Sequence, residues 1–150
     1  METIYEIVQI KQVLLESQVN NKVIRSPEDG AEMAYEFIGQ DDREVLLVMC
    51  LNNKNRVIAA HRAHVGSINQ SVAHPRDIMK SCILNNAASF IIAHQHPSGD
   101  EIMSAEDIQV GKRLRSAGDL IGIEMLDALV IGERNSKGLR FASMKEKGYL

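Results

Sequence analysis

The longest uninterrupted apolar stretch of the chain, Val45 to Leu51, sets the plan of the molecule. A run with no polar break fits a central strand covered on both faces, not an amphipathic strand with one wet side. The Asn52-Asn53-Lys54-Asn55 cluster that follows predicts a turn. Arg56 to His64 then reads as a second strand, so that the two form a hairpin. Upstream, Ile7 to Leu15 is rich in Val, Ile and Leu and is expected to be a strand, although Ile10 to Val13 alternates poorly. Between these lies a helix start, Ser26-Pro27-Glu28-Asp29: Ser caps, Pro suits the first helical position, and the acids favour the positive end of the dipole. That helix is expected to run to about Ile38, with Gly39 ending it.

The second half repeats the alternation. Pro75-Arg76-Asp77 opens a helix ending near Asn86, and Ser89 to Ala93 is a short apolar strand. A loop from His94 to Met103 contains Pro97 and Gly99, and Ser104 opens a helix to Ala117 with Gly118 as its cap. Ile121 to Ile131 reads as a strand interrupted at Asp127, and Leu139 to Met144 as an edge strand. Strands alternating with helices around a central hairpin predict an α/β fold, a mixed β-sheet flanked by helices. With no repeat, low-complexity segment or dividing linker, residues 1–150 read as a single domain.

Composition narrows the classes. A chain of 150 residues can bury a core without disulfides or a structural metal. Hydrophobic residues at 45% exclude wholesale disorder. Lys plus Arg number 17 against 20 for Asp plus Glu, a net charge of −3, so strong intrinsic binding to duplex DNA is not expected. Cys50 and Cys82 each sit among apolar residues and read as buried small hydrophobes, not as a disulfide framework. The first residues lack the basic start and apolar run of a signal peptide, and no apolar run approaches 18 residues. The expected compartment is the cytoplasm, with no membrane association.

All five histidines fall between positions 61 and 96, and two of them form His94-Gln95-His96 at the exit of a buried strand. In extended backbone alternate side chains share a face, so two imidazoles converge on one point while Gln95 faces away. Zinc accepts neutral imidazole nitrogen at about 2.0–2.1 Å, and Asp107, in the first turn of the next helix, can supply a third ligand if that helix packs back towards the strand end. Two His and one carboxylate leave a position for water, which is the pattern of a catalytic zinc and not a closed structural one. Ser104-Ala105-Glu106-Asp107 also fits a capping box, in which the same acid only completes a helix end. The remaining histidines, His61, His64 and His74, read as structural or surface residues.

His94-x-His96 followed by seven residues and Ser104-x-x-Asp107 resembles the JAMM motif of the JAB/MPN metalloprotease superfamily. The wording His-Gln-His-Pro-Ser-Gly-Asp is similar to that of its bacterial RadC-like branch, as are His74-Pro75-Arg76-Asp77 and Ile123-Glu124-Met125-Leu126-Asp127 with Val130-Ile131-Gly132. The resemblance spans roughly residues 7–145 and implies the family's cytidine-deaminase-like fold. It also implies one zinc held by His94, His96 and Asp107, with Ser104 helping to position or stabilise the oxyanion. An upstream Glu at a strand start completes the set, and Glu44 matches that place; spacing alone leaves Glu101, Glu106 and Glu124 in competition. Gln95 stands where the branch usually has Asn, Met103 where it often has Pro, and Ala128 where it usually has His. Full-length RadC proteins carry an N-terminal helix-hairpin-helix region, for which these 150 residues leave no room; any DNA role implied by the family name is weakened accordingly.

The activity so implied is hydrolysis of a peptide or isopeptide bond by zinc-activated water, with Glu44 as general base and a peptide or protein as substrate. The alternative is a zinc-binding accessory module, associated with DNA repair or protein complexes, that does not turn over. Oligomeric state is left open, a homodimer being one outcome.

Overall fold

The computed structural model describes residues 2–8, 11–13 and 23–150. The elements are α1 (Pro27–Ile38), β1 (Val45–Leu51), β2 (Val57–Val65), α2 (Pro75–Leu84), β3 (Ser89–Gln95), α3 (Ala105–Ile121), β4 (Glu124–Asn135) and β5 (Gly138–Ser143). The strands form one mixed sheet in the order β2-β1-β3-β4-β5. β1 is antiparallel to both β2 and β3, β3 is parallel to β4, and β4 is antiparallel to β5.

The unbroken apolar run of β1 follows from its position, since both of its faces are covered. Leu46, Val48 and Cys50 pack with Ile78, Met79 and Cys82 of α2 and Val110 and Leu114 of α3. The alternate set, Val45, Leu47, Met49 and Leu51, packs on Ala31, Ala34 and Ile38 of α1. The period of two sorts every strand residue between these layers. On β3, Phe90 and Ile92 belong to the α2/α3 side and Ile91 and Ala93 to the α1 side, so His94 is carried towards α3 and Gln95 towards the other side.

The N-termini of α1 and α2 are both capped by side chains. Ser26 Oγ accepts from the Asp29 amide, and Pro27 begins α1. His74 caps α2, its Nδ1 accepting from the Arg76 amide at 3.1 Å, which gives this histidine a structural task.

The structure differs from the sequence reading at several ends. Of the strand expected over Ile7–Leu15, residues 9, 10, 14 and 15 lie outside the described residues; Ile7, Val8 and Val13 are exposed and in no strand, so their apolar side chains gain nothing by pairing there. Helix α3 continues to Ile121 and is capped by Gly122, whose φ of +89° is the left-handed conformation glycine adopts freely. Gly118, the expected cap, remains helical: a Cβ there would come within 2.4 Å of the Ile123 carbonyl oxygen, so its role is close packing. β3 runs on through His94 and Gln95 instead of stopping at Ala93. Asp127 does not interrupt β4; a register shift there passes over Leu126, and the buried Asp127 carboxylate accepts from the amides of Ala128 and Lys145 and from the Ser143 hydroxyl.

Candidate metal centre

Three elements meet at the C-terminal end of β3. Leu46 on β1 lies opposite His94 on β3. Continuing this antiparallel register places Glu44, one residue before β1, beside His96 and on the same face. Helix α3 begins over that face, and its capping box fixes Asp107: Ser104 Oγ accepts from the Asp107 amide at 3.0 Å and Asp107 Oδ2 accepts from the Ser104 amide at 2.9 Å. Asp107 therefore belongs to cap and cluster at once, and the two readings are not alternatives.

Glu44, His94, His96 and Asp107 bring one donor atom each to within 4.8 Å of one another. His94 Nε2 lies 3.1 Å from Asp107 Oδ1, and His96 Nε2 lies 3.5 Å from Asp107 Oδ2. Ligands about 2.0–2.1 Å from a tetrahedral ion stand about 3.3 Å apart by simple trigonometry, so these separations fit a shared cation. His94 Nε2 is buried and has no hydrogen-bond partner, despite its nearness to Asp107. An uncommitted imidazole nitrogen beside a carboxylate is the donor chemistry of a transition-metal site. Glu44 stands farther off, its Oε1 3.8 Å from His94 Nε2, and it is the more exposed acid, with 22% side-chain exposure against 6% for Asp107.

The surroundings separate the two carboxylates further. Ile92, Met103, Val110, Ala128 and Met144 line the pocket behind His94 and Asp107. Burial there pushes the Asp107 carboxyl up, but the His94 ring 3.1 Å away, helped by the Ser104 amide and hydroxyl, holds it lowered to about 2. The acid is thus ionised and acceptor-only throughout the physiological range. Two departures from the family pattern, Met103 and Ala128, fall in this pocket wall, and Ala128 puts a methyl group where the branch usually has an imidazole.

The His96 ring is held from behind. Its Nδ1 lies 3.1 Å from Asp100 Oδ1, while Asp100 also accepts from the Ser98 hydroxyl and the Ile102 amide. These bonds, the Ser98 hydroxyl first and then His96, lower the Asp100 pKa. A carboxylate on the far nitrogen fixes the tautomer of a ligating histidine and leaves Nε2 free. The turn carrying these groups lies against β4, with the His96 amide donating to Ile131 and the Glu133 amide to the Gly99 carbonyl. Gly132 makes this approach feasible, since a Cβ there would meet the Gly99 carbonyl oxygen at 2.8 Å.

Gln95 turns to the opposite face of the sheet and is buried. Its Oε1 accepts from the Val45 amide at 2.9 Å; its Nε2 donates to the Arg43 carbonyl at 2.6 Å and reaches the Asp41 carbonyl at 3.5 Å. The sequence assigns Gln95 only an orientation away from the ligands, and gives Asp100 no role. The signal available for Asp100 was an acid closing a tight Pro-Ser-Gly turn four residues after a histidine. None of His61, His64 and His74 joins the cluster among the described residues, nor do Glu101, Glu106 and Glu124. Glu101 pairs with Arg140, and Glu124 with Arg115.

A mixed α/β sheet with a Glu-His-His-Asp cluster at a strand end defines a JAB/MPN-type domain with a candidate metal-binding group. The RadC-like JAB domain profile matches residues 24–149, and the chain belongs to that family. It is 49% identical over 128 residues to the UPF0758 protein YsxA of Bacillus subtilis (strain 168), covering 85% of this chain and 53% of that one. It is 48% identical over 131 residues to a UPF0758 protein of Bacillus pumilus (strain SAFR-032), covering 87% and 56%. A UPF0758 protein of Desulforamulus reducens is 44% identical over 128 residues, covering 85% and 54%. The chain spans about half the length of the curated relatives it matches. No helix among the described residues is long and apolar enough to cross a membrane.

Proposed function

We propose that this domain is a zinc-dependent amide hydrolase of the JAMM type, acting on a peptide or isopeptide bond. The observation that carries the reading is the spacing of His94 Nε2, His96 Nε2 and the two Asp107 oxygens at 3.1 and 3.5 Å, with Glu44 set just outside them. His94, His96 and Asp107 would hold the ion, and the uncommitted His94 nitrogen fits it. A bound zinc supplies Lewis acidity, polarising a carbonyl and lowering the pKa of water towards neutrality.

The chain's own residues divide the remaining work. Glu44, partly exposed and free of a strong ion pair, takes a proton from the attacking water as its oxygen adds to the carbonyl carbon. When the carbon–nitrogen bond breaks, Glu44 passes that proton to the leaving amine. Ser104 Oγ uses a lone pair on the Asp107 amide, so its own proton is free to be donated to the carbonyl oxygen as charge develops there. Asp107 stays ionised and does not compete for the proton.

The proposed substrate is a peptide or protein. Strong duplex DNA binding is not part of this reading, because a net charge of −3 offers little phosphate neutralisation. Cytoplasmic residence is part of it, with Cys50 and Cys82 read as buried small hydrophobes.

Zinc-loaded protein incubated with a bacterial protein extract, followed by labelling of newly formed amines, tests the proposal. New amino termini or lysine amines that vanish with Glu44→Gln support hydrolysis. A zinc-loaded protein that releases none is the non-catalytic accessory module instead.

A further inference from the structure

We propose that Gln95 is a positioning residue for Glu44, so that one side chain rooted between the two histidines sets the distance from the base to the metal centre. This inference rests on the function proposed above and deepens it. Glu44 precedes β1 and lies beyond the last β1–β3 pair, Leu46 with His94, so the register brings it near the histidines and its exact placement rests on the bonds to its flanking residues. Its neighbours on both sides are held by one amide: Gln95 Oε1 takes the Val45 N–H and Gln95 Nε2 the Arg43 carbonyl, with the Asp41 carbonyl at 3.5 Å. The Glu44 carbonyl itself accepts from the Gly66 amide at 2.7 Å, which leaves its side chain as the part free to act.

The geometry explains why this residue sits at this position. His94 and His96 point to one face of β3, so Gln95 must point to the other and cannot touch the metal. It is 2% exposed, and a buried amide that lacked partners would be costly. Each of its side-chain hydrogen bonds goes to the backbone that carries Glu44. The same three residues thus present two ligands on one side and grip the base's backbone on the other. A displacement of His94 and His96 would carry Gln95, and with it Glu44, in the same direction. An apolar side chain of equal length would fill the space but release that grip. The base would then be misplaced while the ligands stayed where they are.

Cobalt-substituted protein supplies the test, because the visible spectrum of a bound cobalt ion responds to the groups at its open side and requires no substrate. Four proteins are compared at one pH: the parent, Glu44→Gln, Gln95→Met and the double variant. The expected result is that Gln95→Met binds cobalt as tightly as the parent, shifts the spectrum in the direction of Glu44→Gln, and adds nothing further in the double variant. Its turnover on any substrate found should fall about 10–100-fold through kcat, with KM held. A Gln95→Met spectrum identical to the parent's, with Glu44→Gln different, overturns the proposal and leaves the metal centre standing. Cobalt uptake undiminished in His94→Ala overturns the metal centre and this inference together. Should Gln95→Met fail to fold, amide exchange in the unaltered protein decides. A Val45 amide as protected as those of β1 supports the grip, and one exchanging as an open loop overturns it.

Discussion

Ser104 and Asp107 exchange two hydrogen bonds across the first turn of α3, at 3.0 and 2.9 Å, while the same Asp107 carboxylate turns one oxygen to each histidine. A helix end and the candidate metal-binding cluster share one carboxylate. The orientation of Asp107 is thereby fixed before any ion arrives, because its Oδ2 is already committed to the backbone of its own cap.

The two tasks proposed for Ser104 can be separated by two substitutions. Ser104→Ala removes the cap and should cost about 1 kcal/mol, whereas Ser104→Gly at the same cap should cost only a few tenths. For a chain of this size 1 kcal/mol is about 2–4 °C in Tm. Both variants lose the hydroxyl donor, so both should lose turnover to the same extent. Thermal melting alongside an activity assay checks this; activity that tracks stability would assign Ser104 to the cap alone.

Removing the ion should leave the fold intact. The seven residues of β1 are all buried, and each large apolar side chain so placed contributes about 1.5–3 kcal/mol. Among the described residues, none of the four clustered side chains is a member of either core layer. After chelation the protein should still melt cooperatively, and His94→Ala should purify with little zinc and a nearly unchanged Tm. Loss of the far-ultraviolet circular dichroism signal on chelation would contradict this.

The approach of Gly132 to Gly99 predicts an effect at a distance from the ligands. In Gly132→Ala the new Cβ would lie 2.8 Å from the Gly99 carbonyl oxygen and 3.2 Å from that of Arg140. Both neighbours are backbone, so the turn after His96 must move. A loss of about 1–3 kcal/mol is expected, as for other overpacked sites, together with weaker zinc binding. Gly122→Ala is the control: it is strained at φ +89°, with nothing within 4 Å of the new atom, and should lower Tm without touching zinc affinity. Equal zinc affinity in the two variants, measured by competition with a chelator, would remove the proposed link.

What the chain disclosed in advance was local. The apolar run of β1, the His-x-His pair and the Ser-x-x-Asp helix start each depend on neighbours a few residues away, and all were legible. Glu44 depends on the pairing of β1 with β3, which brings residues fifty apart in sequence face to face. Spacing cannot reveal that, and only the family resemblance singled it out. β3 was read two residues short because His94 and Gln95 are polar and so mimic a strand exit. They remain in the sheet because their polar atoms meet partners there: Gln95 the backbone of residues 41–45, and His94 the acid of α3. The same reasoning hid Gln95, since a residue facing away from the ligands had no visible task until the opposite face was known. The Ile7–Leu15 stretch failed in the other direction, apolar content suggesting a strand where the described residues are exposed.

His61 gives a prediction in pH. It faces α2, its Nδ1 is buried without a partner, and its pKa is lowered by burial and by Lys80, against a smaller opposing effect of Asp77. The unfolded chain therefore binds a proton more readily than the folded one below pH 6.5, so stability must fall as pH drops through that value. In metal-free protein, urea unfolding on either side of pH 6.5 should show a smaller loss for His61→Phe than for the parent. Whatever the two proteins share cancels in the difference. Parallel curves would mean that His61 is not desolvated.

The sharpest division expected at the centre lies between its two acids. Glu44→Gln is nearly isosteric and keeps a hydrogen bond to water, but a carboxamide cannot accept a proton at neutral pH. It should bind zinc as the parent does and lose about 10²–10⁴-fold in turnover, the usual share of general base catalysis. Asp107→Asn should fail earlier. Asp107 is 8% exposed, lies against both histidines, and is held ionised with its pKa lowered to about 2, so the substitution removes the only negative charge that the three ligands contribute. The substituted amide would also point a donor at one of its partners, the Ser104 amide or a histidine, where the carboxylate accepts. Zinc content, measured by elemental analysis after dialysis, should therefore be near one per chain for Glu44→Gln and low for Asp107→Asn, although both are inactive. If Asp107→Asn retains zinc and Glu44→Gln loses it, the roles of the two carboxylates are reversed. If Glu44→Gln retains full activity on a substrate that His94→Ala cannot cleave, the base is another residue. Glu101 and Glu106, nearest to the ligands in sequence, would then be replaced next.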